Sequence, residues 1–204
     1  MTTSHSESPT VFIVDDDPAI RFAMQALMDS INLKHEIFSS GDEFLEKVSE
    51  QRAGCLVLDI RMPGLGGLEL QEELIRRGST LPIIFITGHG DVPMAVDAMQ
   101  KGAVDFIQKP FRDQDLLDRV REALVADEER REEQQKHAAV TERLSRLTNR
   151  EREVFDLVVT GRPNKVIAYE LGVSQRTVEI HRARVMEKMR ASSLADLVKM
   201  HMSG

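Results

Sequence analysis

Leu56–Pro63 reads LVLDIRMP, three apolar residues running straight into an aspartate, with Pro63 stopping any regular element four residues later. A short apolar run of this kind suits a central parallel strand covered on both faces. Asp59 then falls at the strand's carboxyl end, where open α/β sheets place their ligand crevice. The alternative is that Asp59 merely begins a turn, and the neighbouring segments decide between the two.

Outward from this stretch, the same pattern repeats. Val11 to Val14 (VFIV) ends in Asp15-Asp16-Asp17-Pro18, which predicts a strand and then a helix to about Ser30 with Pro18 in its first turn. Glu36 to Phe38 predicts a second strand, followed by a helix from Ser40 or Gly41 through Val48. After the central stretch come a glycine-rich turn and a helix from Leu68 to about Arg77. Pro82 to Thr87 (PIIFIT) and Asp105 to Gln108 (DFIQ) predict two further strands, with helices over Val92–Lys101 and Asp113–Leu124. Five strand–helix alternations imply a doubly wound, five-stranded parallel sheet.

Ala126 to His137, ADEERREEQQKH, has no apolar stripe and many helix formers, so it predicts a solvated helical linker, continuing the preceding helix or separate from it. A coiled coil is the alternative, but Asp127 and Arg131 interrupt the heptads. Val140, Leu144 and Leu147 then resume apolar spacing. Thr148 with Glu151 forms a capping box, opening a helix to about Thr160. Pro163 begins a short helix, Gly172-Val173-Ser174 is a tight turn, and Gln175 to about Arg190 is a longer helix, with a last one from about Ser193 to Met202. Four helices with a short turn between the middle two describe an all-α helix-turn-helix domain. The expected boundaries are 9–125 for the α/β domain, 126–140 for the linker and 141–204 for the helical domain.

Composition excludes several classes. Apolar residues make up 41% and charged residues 30%, as in ordinary globular chains. Aromatics are only 4% with no Trp, which argues against base stacking on single strands. The single Cys55 rules out an intramolecular disulfide and a CxxC zinc site, and its apolar setting suggests a buried, inert thiol. No apolar run approaches the roughly 18 residues of a membrane span, and the N-terminus lacks signal-peptide features, so a cytoplasmic location is expected. The net charge of −7 hides a polarity: from Thr148 onward ten Lys and Arg face seven Asp and Glu, or +3, leaving 17 against 27, or −10, before it. A basic back half suggests a polyanionic partner.

At the carboxyl ends of the predicted strands stand Asp15 and Asp16, Asp59, Thr87 and Lys109, all on one edge of a parallel sheet. Three carboxylates at close range call for a counter-charge. An oxygen-liganded Mg²⁺ supplies one, and a carboxylate beside it can act as a nucleophile toward phosphorus. Lys109 and the Thr87 hydroxyl would stabilise the phosphoryl oxygens. Asp17 reads better as a helix cap.

The motifs VDDDP at 14–18, LDIRMPG at 58–64, ITGHGD at 86–91 and KPF at 109–111 resemble, in order and spacing, the receiver domain of bacterial two-component response regulators, a flavodoxin-like fold. The resemblance implies phosphorylation of Asp59 by a sensor histidine kinase. It implies Mg²⁺ (or Mn²⁺) held by Asp15, Asp16, Asp59 and the Arg61 backbone carbonyl, phosphoryl contacts from Thr87 and Lys109, and Phe106 as the switch aromatic. Arg61 stands where many receivers carry Asn, and Gly88 where Ala is frequent. The first bears on how water reaches the phosphoryl group, and so on any slow self-dephosphorylation.

LTNREREV at 147–154, NKVIAYELGVS at 164–174 and TVEIHRARVMEKM at 177–189 resemble the LuxR/FixJ-type DNA-binding domain, so the chain is similar to FixJ-type response regulators over nearly its whole length. On the helix from Gln175, Arg176, Glu179, Ile180 and Ala183 share one face by spacing. Glu179, Ile180 and Ala183 are the expected base-facing residues, and Lys165, Arg176, His181, Arg182, Arg184 and Lys188 the expected phosphate contacts. His181 reads equally as a packed histidine.

The expectation is a phosphorylation-controlled transcription factor that is not a turnover enzyme, homodimerises on phosphorylation and works with double-stranded DNA and RNA polymerase. A metal-dependent phosphatase of the haloacid dehalogenase type is a rival, since Asp15-x-Asp17 fits its first-strand motif, but Pro18-Ala19 follows and no cap domain is evident. A receiver acting by protein contact alone is a third reading.

Overall fold

In a computed structural model of the chain, residues 8–49, 51–88 and 92–202 are described. His89, Gly90 and Asp91 of the ITGHGD motif lie outside them. The chain divides into two compact units between Arg130 and Arg131, inside the expected linker.

Among the described residues of the first unit, five strands form one parallel sheet in the order β2-β1-β3-β4-β5. They are β1 (Thr10–Val14), β2 (His35–Phe38), β3 (Gly54–Asp59), β4 (Ile83–Thr87) and β5 (Asp105–Gln108). The helices are α1 (Pro18–Ser30), α2 (Gly41–Lys47), α3 (Gly67–Arg76), α4 (Val92–Gln100) and α5 (Asp113–Ser145). The doubly wound reading therefore holds, and alternation along β1 shows why. Phe12 and Val14 enter one apolar cluster with Phe44, Leu70, Leu74 and Ala98, from α2, α3 and α4. Val11 and Ile13 enter the other with Met24, Met28, Leu116 and Val120, from α1 and α5. A strand buried on both faces has no polar side to show, which explains the unbroken apolar runs of β1, β3 and β4.

The linker is helical and mostly exposed, as expected, with one exception at Asp127. The helix expected to stop near Leu124 continues without a break to Ser145. Within it Asp127 is buried, only 1% exposed, and its Oδ2 accepts the Gly54 N–H at 2.9 Å. Arg130 pairs with the same carboxylate. Gly54 opens β3 with φ +144°, and a Cβ there would lie 1.8 Å from the Thr10 carbonyl oxygen. Strand β3 is thus tied at its start by a helix carboxylate and carries Asp59 at its finish. The adjacent Cys55 thiol is pushed up to about 12 by burial and then by the Asp127 charge, which keeps it a protonated, unreactive thiol.

In the second unit α6 (Asn149–Val159), α7 (Asn164–Leu171), α8 (Gln175–Met189) and α9 (Leu194–Met202) enclose a core of Val154, Phe155, Val158, Ile167, Val178, Val185, Met189 and Leu197. Leu144 and Leu147 pack against it. Thr148 and Glu151 form the capping box, with Thr148 N donating to Glu151 Oε2 at 2.8 Å and Glu151 N to Thr148 Oγ1 at 3.3 Å. Gly172, in the left-handed region at φ 64°, ends α7, and Ser174 caps α8.

Candidate functional sites

Parallel pairing fixes the first site. Val14 lies opposite Leu58, so the next residues on these strands, Asp15 and Asp59, emerge side by side. At the end of β4, Thr87 pairs with Gln108 of β5, and Lys109 follows with its N–H donating to the Thr87 carbonyl at 2.7 Å. The Lys109 ammonium then bridges the two carboxylates, 2.6 Å from Asp59 Oδ1 and 2.9 Å from Asp15 Oδ2. The other oxygens are also engaged: Asp59 Oδ2 accepts the Arg61 N–H and Asp15 Oδ1 the Asp17 N–H, both at 2.8 Å. Gly67, at the start of α3, lets that helix close over the strand end, since a Cβ there would meet the Asp59 carbonyl oxygen at 2.3 Å.

Among the described residues, the Lys109 ammonium is bonded to two buried carboxylates, Asp15 and Asp59. Burial raises the Asp59 carboxyl above its ordinary value, against the opposing pull of Lys109. Burial works to lower Lys109, but its bonds to Asp59 and Asp15 prevail and hold it above its ordinary value, so it stays charged. Thr87 is buried at the end of β4, and Phe106 on β5 is 39% exposed.

Of the three carboxylates expected at this edge, the Lys109 bridge joins two. Asp16 is exposed, Asp15 bonds Lys109, and Asp17 caps α1 by accepting the Ala19 N–H. Among the described residues no group of three His, Cys, Asp or Glu side chains is arranged to hold a metal ion. The donors present are nonetheless all hard oxygens, and two carboxylates sharing one ammonium suit a divalent cation. Asp15, Asp16, Asp59 and the Arg61 carbonyl are the chain's own candidates for such an ion.

On the second site, α8 turns Val178, Val185 and Met189 into the core. Arg176, Glu179, Ile180, Ala183 and Arg184 are exposed, and so is Lys165 on α7. Ile180 is 46% exposed, a large apolar side chain on an otherwise polar face. The other three expected phosphate contacts are half-buried. His181 is half-buried with Nδ1 shut off from solvent. Arg182 is half-buried and donates to Asn164 Oδ1 at 3.0 Å. Lys188 is drawn inward to Glu151 Oε2, at 2.6 Å. Helical spacing alone had placed Lys188 with the DNA-facing cations, but the α6 capping box supplies a nearer anion.

A parallel sheet with an aspartate–lysine pocket at its carboxyl edge, followed by a helix-turn-helix, defines a phosphoacceptor domain joined to a DNA-binding domain. Comparison with known proteins agrees. Residues 11–121 match the response regulator receiver domain, and residues 145–201 match the bacterial regulatory proteins of the luxR family. Nodulation protein W of Bradyrhizobium diazoefficiens is 49% identical over 199 residues, covering 96% of this chain and 88% of that one. The transcriptional regulatory protein FixJ of Azorhizobium caulinodans is 45% identical, covering 95% and 92%. Among solved structures, the response regulator StyR matches with a TM-score of 0.90 at 43% identity over 97% of this chain and 100% of that one. Full-length FixJ from B. japonicum matches with a TM-score of 0.60 at 39% identity, covering 96% of each chain. The chain belongs to the two-component response regulators with a LuxR-family output domain, and is a transcription regulator. The family implies a histidine kinase as phosphodonor and DNA as target. No helix among the described residues is long and apolar enough to cross a membrane.

Proposed function

We propose that Asp59 accepts a phosphoryl group from a histidine kinase and that this modification controls DNA binding by the α8 face. The observation that carries this reading is the Asp15–Lys109–Asp59 bridge at the carboxyl edge of the sheet. A carboxylate oxygen of Asp59 attacks phosphorus, the P–O bond forms as the P–N bond to the kinase histidine breaks, and the imidazole leaves with the electron pair. Lys109 then exchanges a carboxylate partner for the phosphoryl oxygens, and the Thr87 hydroxyl donates to them. Mg²⁺ (or Mn²⁺) bound by Asp15, Asp16, Asp59 and the Arg61 carbonyl would supply further positive charge to those oxygens.

Phosphorylation shifts Thr87 and with it Phe106, biasing an existing equilibrium of the α4–β5–α5 surface toward a homodimer. Two copies place two α8 helices on paired half-sites, which compensates for the modest charge of each helical unit. Glu179, Ile180 and Ala183 meet base edges, Arg176, Arg184 and Lys165 the phosphates, and the dimer acts through RNA polymerase. The domains run over 9–125 and 141–204 around the helical segment between them. The protein works in the cytoplasm and turns over no substrate beyond slow loss of its own phosphoryl group, whose rate Arg61 helps to set.

Incubation with Mg²⁺ and a small acyl phosphate, followed by intact-mass measurement and light scattering, tests this. The wild type should gain one phosphoryl group and self-associate, and Asp59→Asn should do neither. Labelling of both proteins alike would overturn the assignment.

A further inference from the structure

We infer that Lys188 and Arg143 form a clamp that sets the seat of the recognition helix, and that neither acts as a phosphate contact. The inference rests on α8 being the DNA-reading helix. The last turn of α8 is held from two directions. Lys188 Nζ reaches Glu151 Oε2 at 2.6 Å and the Arg146 carbonyl at 3.1 Å. In the opposite sense Arg143, in the last turn of α5, donates from Nη1 to the Met189 carbonyl at 3.3 Å. That carbonyl is one of the terminal acceptors that an α-helix leaves unsatisfied, and Arg190 beyond it turns out of the helix at φ 54°.

The anion in the clamp cannot drift. Glu151 is 3% exposed and is fixed by Thr148 N at 2.8 Å, as the second half of the α6 capping box. Lys188 therefore docks on a carboxylate whose place is set by the start of α6, and the end of α8 is registered against both α6 and the segment entering it. The exposed residues Arg176, Glu179 and Ile180 lie in the first half of the same helix, with Ala183 just past its middle. Base readout depends on placing such side chains to within a fraction of an ångström, so a tilt of α8 about its far end displaces the reading face without removing any group from it. Lys188 and Arg143 are positioning residues, and Glu151 is the anchor of Lys188.

The test separates charge from position. Wild-type full-length chain is used to select a duplex from a randomised DNA pool, and binding is measured on that duplex and on the starting pool across a salt series. A lysine touching phosphate contributes about one unit to the slope of log K against log salt. The clamp predicts that Lys188→Gln loses about tenfold in affinity for the selected duplex with the slope unchanged. It also predicts that Glu151→Gln, which touches no DNA, loses as much, and that the double variant loses no more than either. Arg143→Gln, which leaves the capping box intact, should show the same selective loss more weakly, and stands in for Lys188→Gln if that variant does not fold. A slope lowered by about one for Lys188→Gln with Glu151→Gln binding like wild type would overturn the clamp while leaving the DNA-binding reading in place. A wild-type chain that enriches no sequence would overturn both.

Discussion

Each unit of this protein contains a lysine set on carboxylates beside a helix start, and the two arrangements behave in opposite ways. In the second, Lys188 and the Thr148 N–H both donate to Glu151, and these bonds outweigh burial, bringing the carboxyl down to about 2. In the first, Lys109 is divided between Asp15 and Asp59, and burial outweighs it, so Asp59 lies above its ordinary value. A carboxylate whose hydrogen bonds outweigh its burial is a structural element. One whose burial outweighs a shared cation is ready to exchange partners, which is what a phosphoacceptor requires.

The largest effect should come from removing the nucleophile. Asp59→Asn abolishes phosphoryl uptake, read by intact mass, yet its folded state at neutral pH should be at least as stable as wild type. The sign follows from linkage: a carboxyl raised in the folded state favours folding below its ordinary value, and that contribution is lost as pH rises through the folded value. A large drop in the melting temperature of Asp59→Asn would mean that the pocket is a structural ion pair like Glu151–Lys188, and the contrast would disappear.

Next in size is Gly54→Ala. A Cβ 1.8 Å from the Thr10 carbonyl, at φ +144°, should cost several kcal/mol, roughly 3 or more, measured by denaturant unfolding. Asp127→Ala strands the buried Gly54 N–H and should cost about 1 to 3 kcal/mol. Both act at the far end of the strand that carries Asp59, so they show how far the acceptor depends on that support. Phosphoryl uptake that survives in the folded fraction of each variant would locate the chemistry wholly at the carboxyl edge.

The smallest effect is the pH response of the helical unit. Glu151 has a lowered value, so its contribution is present above the ordinary 4.5 and fades as pH falls toward about 2. Calorimetry of the full chain should show wild type and Glu151→Gln converging in stability over that window. A constant gap down to pH 2 would contradict the pairing.

How much of this was legible in the sequence follows from the range of each interaction. Asp15, Asp59, Thr87 and Lys109 end strands, and parallel strands share an edge, so reading strand ends suffices to collect them on one side of the sheet. Asp16 has the same sequence credentials as Asp15, yet Asp15 is buried and Asp16 exposed, a difference that strand ends alone do not show. Asp127 was hidden for a different reason. Inside ADEERREEQQKH a single buried carboxylate has no periodicity to reveal it, and its partner is a backbone N–H 73 residues away. Helical spacing groups Lys188 with the other cations of its helix and does not show the capping box whose Glu151 it contacts. Local patterns showed the fold and the strand ends that meet at its carboxyl edge, while contacts made once between distant segments appear only in the folded chain.

The central claim is that the charge state of the Asp59 pocket governs the α8 face, and one measurement tests it most directly. The affinity of the full chain for a duplex it has itself selected is measured before and after treatment with Mg²⁺ and a small acyl phosphate, alongside Asp59→Asn. Tighter binding on phosphorylation of the wild type, with Asp59→Asn unaffected, is the predicted result. Equal affinity for phosphorylated and unphosphorylated wild type would contradict it.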